Sequence, residues 1–232
     1  MANILISGTS SGLGASLSNL LGGDCFDRNN IKKYKNISSP FDLTIHCAFE
    51  RYDRNIKEVD YINRATELTS NFISIPSKRI IFISSIDCNC SVVTNPYVKA
   101  KKECEYLITN MKNALSLRVP SMFGPTMIKN QIYRIATEKE PKLTLSQKST
   151  FSLLSHSDLS KFIKLSENTG TLSLVSDLLK LETIADFFNS KPHWGEHVYN
   201  TKVVKDNLLQ INMGKSLDLY KDFILAYPTE LL

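Results

Sequence analysis

The sequence predicts an α/β protein: a doubly wound parallel sheet with helices on both faces and a small C-terminal lobe. Three observations carry this expectation. Strand-like apolar runs alternate with stretches of helical spacing through the first half of the chain, the pattern that lays consecutive strands parallel beneath crossover helices. A glycine cluster, Gly8-Thr9-Ser10-Ser11-Gly12-Leu13-Gly14, stands directly between the first such run and the first such helix. The 232 residues, 42% hydrophobic and 22% charged, are enough for one well-cored unit and too apolar for a disordered chain.

Taken in order, Asn3 to Ser7 is a short apolar run ending at Gly8, as a buried strand does. Leu13, Leu17, Leu20 and Leu21 then recur at helical spacing until Gly22-Gly23 closes the helix. Cys25 to Asp27 predicts a very short strand, and the polar stretch Lys32 to Pro40 a loop. Phe41 to Ala48 reads as a second buried strand, followed by a helix from about Ile56 to Ile73 that Pro76 ends. Arg79 to Ser84 is the clearest strand pattern, and Tyr97 to Asn110 is helical, with Pro96 suited to its first turn. Ala114 to Val119 is strand-like again. Beyond it the pattern loosens: a helix near Ile128 to Glu138, strands near Leu143 and Phe151, then a helix from Ser157. A strand at Thr171 to Val175 and helices at Leu181 to Phe188 and Ser216 to Ala226 complete the expectation.

Charge and composition narrow the function. There are 28 Lys+Arg against 23 Asp+Glu, a formal net charge of +5, and the basic residues are scattered. The densest groups, Lys32-Lys33-Tyr34-Lys35 and Lys99 to Lys102, make no continuous basic face, so nucleic acid is not the expected partner. A small anionic ligand suits a modest excess of this kind. No apolar run reaches membrane-spanning length, and no basic region precedes Ile4-Leu5-Ile6, so neither a membrane span nor a signal peptide is expected and a cytoplasmic location is the expectation. Cys88 and Cys90 form C-x-C with no second pair at zinc-site spacing. Cys25 and Cys47 read as small core residues. Pro192, Trp194 and Gly195 break any helix that would align His193 with His197, so no metal is expected.

The chemistry sits in two constellations. Gly8, Ser10, Ser11, Gly12, Leu13 and Gly14, between a strand and a helix, are placed for the backbone to turn tightly and approach a pyrophosphate over the helix N-terminus. At the end of the next strand, Asp27 can accept from ribose hydroxyls, favouring NAD, whereas Arg28 can pair with a 2′-phosphate, favouring NADP. In Tyr97-Val98-Lys99-Ala100-Lys101, Tyr97 and Lys101 fall one helical turn apart, where an ammonium favours the phenolate. Ser84-Ser85 ends the strongest strand, where a doubly wound sheet opens its ligand crevice and a hydroxyl can hold a substrate carbonyl.

Taken jointly, these residues and Asp42 with His46-Cys47-Ala48 resemble the short-chain dehydrogenase/reductase superfamily. Leu117-Arg118-Val119-Pro120 with Phe123-Gly124-Pro125, Phe151 to Leu159, Leu181 to Ala185 and Asn207 to Gly214 are similar to its extended, nucleotide-sugar-modifying branch. The glycine spacing is that of simpler members, a strand that usually touches adenine is largely missing between Lys35 and Pro40, and Ser85 is followed by Ile86 and Asp87 rather than the Asp-Glu of dehydratases. The resemblance implies a dinucleotide-binding core over 1–125 and a reduced substrate lobe over 126–232, with elements returning to the core in a single structural unit. It implies NAD or NADP held by the glycine loop with Cys47 and Ala48, and catalysis by Ser85, Tyr97 and Lys101. Ser85 would polarise a carbonyl, Tyr97 would serve as acid and base, and Lys101 would lower the phenol's pKa and hold the nicotinamide ribose. The leading expectation is a ketoreductase acting on a nucleotide diphosphate sugar. An epimerase and a catalytically silent cofactor-binding scaffold are the alternatives. A homodimer is expected through the helices at Ile56 to Ile73 and Tyr97 to Asn110, whose Val59, Ile62, Leu68, Phe72, Cys104, Leu107, Ile108 and Met111 exceed one inward stripe.

Overall fold

A computed structural model describes residues 2–26, 31–127, 129–204, 208–210 and 216–226. The chain runs β1 (Ile4–Ser7), α1 (Gly12–Leu21), β2 (Asp24–Phe26), α2 (Ile31–Lys35), β3 (Leu43–His46), α3 (Glu58–Ile73) and β4 (Ile80–Ser85). A 3-10 turn at Ile86–Asn89 leads to α4 (Pro96–Thr109), β5 (Ala114–Val119), β6 (Ser121–Phe123) and α5 (Gln131–Thr137). There follow β7 (Thr150–Phe151), β8 (Leu153–Ser155), α6 (His156–Leu165), β9 (Gly170–Val175), β10 (Leu179–Lys180), α7 (Leu181–Phe187), β11 (Leu208–Gln210) and α8 (Ser216–Ala226).

A seven-stranded sheet in the order β11-β9-β5-β4-β3-β1-β2 is parallel throughout. From β1 the chain steps outward to β2 and then crosses back to β3, so the winding reverses between β1 and β3. Ligands of such sheets bind outside the carboxyl ends of the strands at that reversal. Alternation along the strands sends side chains to both faces. Ile81 and Ile83 of β4 join Leu17 of α1 with Leu159 and Ile163 of α6 on one side. Ile80 and Phe82 join Tyr61 and Ala65 of α3 with Ala100, Cys104 and Ile108 of α4 on the other. A separate apolar core, including Phe123, Ile132, Leu153, Leu181, Ile184, Tyr220 and Phe223, unites β6, α5, β8, α7 and α8.

Several expectations need correction. The stretch expected to be a loop contains α2, held because Tyr34 is buried edge-on against Phe41 and donates its hydroxyl to the Cys25 carbonyl at 3.3 Å. No strand follows α2 before β3, so the β2 side is one strand short of the commonest doubly wound order. The residues near Leu143 are not a strand but an extended segment joined to 193–200 by single bridges, with Leu143 N–H donating to the His193 carbonyl at 2.9 Å. Cys25 is exposed rather than in the core, because β2 lies at the sheet's margin. β11 joins the sheet without any local apolar alternation to announce it. Of the residues assigned to a dimer face, Phe72, Cys104 and Ile108 are fully buried within the subunit. Among the described residues no helix is long and apolar enough to cross a membrane.

Candidate active site

The glycine loop leaves β1 at its carboxyl end. Gly8 and Gly12 take φ of +74° and +59°, left-handed conformations that a side chain would strain. A Cβ on Gly8 would lie 2.8 Å from the Ala48 nitrogen, and one on Gly14 would run into the Gly8 carbonyl. Glycine at these positions therefore lets β1, α1 and the end of β3 close on one another. Ser11, the residue before α1, is extended and makes no side-chain cap, leaving the helix's first amides to a ligand or solvent.

Beneath the loop lies a buried polar chain. The Ser7 hydroxyl accepts from the amides of Cys47 and Ala48 at 3.1 and 3.0 Å, so its own hydrogen goes to His46 Nδ1 at 2.7 Å. His46 Nε2 is then the protonated nitrogen, donating to Thr69 Oγ1 at 3.1 Å, and Thr69 donates to Cys104 Sγ at 3.2 Å. Burial pushes the His46 pKa down to about 3, which keeps the ring in the neutral form this chain of donors requires. The chain ties β1, β3, α3 and α4 together directly under the reversal point.

Gly8, Thr9, Ser10, Ser11, Gly12, Leu13 and Gly14 line a cleft of about 560 Å³ whose remaining wall is Phe26, Cys47, Ala48, Phe49 and Leu68. The expected cofactor residues Gly8, Ser10, Ser11, Gly12, Leu13, Gly14, Cys47 and Ala48 are thus together in one place. Asp27 and Arg28, on which the choice between NAD and NADP turned, lie outside the described residues; β2 ends beside the cleft at Phe26. From the far side, the strained loop after β6 reaches in: Thr126, at φ +66°, donates its hydroxyl to the Gly12 carbonyl at 2.7 Å.

Ser85, Tyr97 and Lys101 assemble next to this cleft rather than in its wall. Asn95 caps α4 by accepting from the Tyr97 amide at 2.9 Å, and Pro96 occupies the first turn, which sets Tyr97 at the helix start. The Ser85 hydroxyl, at the end of β4, accepts from the Asp87 amide at 3.2 Å and lies beside the Tyr97 phenol, close enough to influence its titration. Burial raises the Tyr97 pKa above its ordinary value, reinforced by the neighbouring Cys88, Tyr61 and Asp87, and the nearby Ser85 hydroxyl opposes this only in part. Lys101 does not supply the lowering that the sequence led one to expect. Its Nζ donates to the Ile83 carbonyl at 2.8 Å and stands 3.7 Å from the Phe49 ring centre, but 5.8 Å from that of Tyr97. The side chain is 4% exposed, and desolvation brings its pKa down to about 8.

Three further residues shape the site without having stood out in the sequence. Phe49 touches both the cleft and the Tyr97–Lys101 pair, edge-on to Tyr97 at 5.5 Å. Asp87 accepts from the Tyr199 hydroxyl at 2.8 Å, bringing a residue packed on the Phe123–Tyr220 core to the strand ends. Asn89 accepts from Arg118 at 2.7 Å and donates to the Lys202 carbonyl at 2.9 Å. An aromatic immediately after a strand end at the reversal point was a usable signal for Phe49; nothing local marks Tyr199. Among the described residues no group of three His, Cys, Asp or Glu is arranged to hold a metal.

This is a Rossmann-like sheet with a glycine-loop cleft and a Ser-Tyr-Lys set at the strand ends. No family model and no curated protein sequence matches the chain. Solved structures do match it. A UDP-N-acetylglucosamine 4-epimerase from Methanobrevibacter ruminantium M1, in complex with UDP-N-acetylmuramic acid, has a TM-score of 0.77 at 12% identity, over 97% of this chain and 97% of that one. A NAD-dependent NDP-hexosamine 5,6-dehydratase of tunicamycin biosynthesis has a TM-score of 0.73 at 10% identity, over 99% and 100%. A UDP-N-acetylglucosamine 4-epimerase from Bacillus cereus has a TM-score of 0.65 at 18% identity, over 91% and 86%. The chain thus shares the fold of these nucleotide-sugar epimerases and dehydratase.

Proposed function

We propose that this chain binds NAD or NADP in the glycine-loop cleft and acts as a ketoreductase on a nucleotide-linked keto-sugar. The observation that carries the reading is the Ser85–Tyr97 hydroxyl pair at the end of β4, beside a cleft walled by backbone that only glycine permits. The cleft fits a diphosphate: Gly8 and Gly14 let the loop close tightly on β3 and α1, Gly12 adds no side chain above it, and the amides at the start of α1 supply donors. A bound nicotinamide supplies the hydride chemistry. The chain's residues would do the rest. Ser85 Oγ holds the carbonyl oxygen, and Tyr97 Oη delivers the proton to it, with its raised pKa keeping the phenol protonated before reaction. Lys101, beneath Phe49, is placed to bear on the ribose next to the reacting ring once it is uncovered. The core gathered around Phe123, Leu181 and Tyr220 would belong to a substrate lobe spanning 126–232.

Epimerisation is the second reading, favoured by structural neighbours that include two UDP-N-acetylglucosamine 4-epimerases. Dimerisation through α3 and α4 is part of the same proposal. The test is Tyr97→Phe, assayed with NADH or NADPH and a panel of UDP- and dTDP-keto-sugars. Cofactor binding by calorimetry is expected to persist while turnover falls at least about a hundredfold. Near-normal turnover in the variant would remove Tyr97 from the chemistry, and cofactor binding with no turnover of any sugar by the unaltered protein would leave the silent scaffold.

A further inference from the structure

Phe49 stands between the glycine-loop cleft and the Tyr97–Lys101 pair. The residues that wall the glycine-loop cleft end at Phe49 and include neither Ser85, Tyr97 nor Lys101. The Phe49 ring lies 3.7 Å from Lys101 Nζ and 5.5 Å from the Tyr97 ring, and packs at 6.4 and 6.5 Å against Phe82 and Tyr61. It is a partition: one side faces the phosphate loop, the other covers the lysine. A dinucleotide is two nucleosides joined through a diphosphate, so with its diphosphate over α1 one half extends towards Phe26 and the other towards Phe49, both of which line the cleft. The other half must pass Phe49 to reach Tyr97.

Lys101 gives the partition its hold. α4 turns Val98, Lys101, Cys104, Glu105 and Ile108 inward, so two charged residues lie on its buried stripe. Glu105 is answered by Arg118, in a two-pronged pair at 2.9 and 2.6 Å. Among the described residues Lys101 forms no ion pair; its ammonium is met by the Ile83 carbonyl and by the faces of Phe49 and Phe82. A cation over an aromatic face is attracted to it, and more strongly where water is excluded. A ribose hydroxyl arriving at Lys101 would replace the Phe49 face with a hydrogen-bond acceptor, which gives the exchange a driving force.

We propose that Phe49 is the residue that sets which part of a dinucleotide the cleft admits: with its ring over Lys101 the cleft holds the adenosine diphosphate half alone, and the second nucleoside enters only when the ring swings aside. This rests on the reading of the cleft as a dinucleotide site. The apparent affinity for the whole dinucleotide is then reduced by the fraction of molecules whose ring is out, while affinity for the half-molecule is not.

Calorimetry on the full chain tests this with two probe pairs, NAD+ against ADP and NADP+ against adenosine 2′,5′-bisphosphate. The unaltered protein is expected to bind each dinucleotide within about threefold of its half-molecule. Phe49→Ala should tighten the dinucleotide by about tenfold and leave the half-molecule within about twofold. Phe49→Leu, which keeps more of the packing against Phe82, should give an intermediate gain and guards against a poorly folded alanine variant. If both variants bind dinucleotide no better than the unaltered protein while half-molecule binding is intact, the partition has no such role. If no protein binds either member of either pair, the dinucleotide reading itself falls, a distinct result.

Discussion

Two histidines are buried without charge, and each makes the folded state sensitive to acid. The ordinary imidazole value is 6.5; burial lowers His46 to about 3 and His156 to about 4. Between those limits the unfolded chain binds protons that the folded chain refuses, so stability is full above about 6.5 and declines as pH falls below it. The slope is about 1.4 kcal/mol per pH unit for each histidine. Protonating His46 would also break its own network, since Nδ1 would become a donor facing the Ser7 hydroxyl that must donate to it. Urea unfolding at pH 7, 6 and 5 is expected to show a midpoint that drops at each step. A midpoint constant over that range would mean that His46 and His156 titrate normally.

In α1 the glycines are not equivalent. At Gly14 a Cβ meets the carbonyl oxygens of Gly8 and Ser7, backbone atoms that no rotamer change can move, so α1 would have to lift from β1. Gly14→Ala is expected to cost roughly 2–4 kcal/mol and to weaken nucleotide binding with it. A Cβ at Gly12 meets nothing within 4 Å, and only its φ of +59° opposes substitution; Gly12→Ala should cost roughly 1 kcal/mol. Denaturant titration of both variants checks the order, and equal losses would contradict it. The strand–glycine–helix unit was readable in the sequence because its signals are local: an apolar run, a turn residue, a helical period. The Tyr97–Lys101 pairing was readable for the same reason, being one turn of one helix. What Lys101 does with its charge was not, because Ile83, Phe82 and Phe49 come from two other segments of chain. α2 and β11 were missed on similar grounds, the first anchored by Tyr34 on Phe41 and the second by pairing with β9. Tyr199 reaches Asp87 across 112 residues of sequence, a separation that no local pattern bridges.

The subunit's outer surface bears on assembly. Val59 of α3 and Tyr106 of α4 are 61% and 67% exposed, whereas Phe72, Cys104 and Ile108 of the same helices are spent on the core. The proposed dimer therefore has a narrower apolar face than the sequence implied, helped by Ile62 and Leu107, which are half-buried. Sedimentation velocity at micromolar concentration is expected to give a species of twice 26.2 kDa, and Tyr106→Glu to shift it towards the subunit mass. A clean 26.2 kDa species from the unaltered protein would rule the dimer out.

Among the described residues the sheet's two outer strands, β2 and β11, pair with their neighbours over three residues each. An outer strand carries a row of backbone donors and acceptors with nothing beside them, and in a long flat strand that row is a template on which other chains align and accumulate as fibrils. Here each row is barely long enough to register a neighbour. With no strand between α2 and β3, β2 itself forms that margin of the described sheet, and its three paired residues offer another chain only a short row to align on.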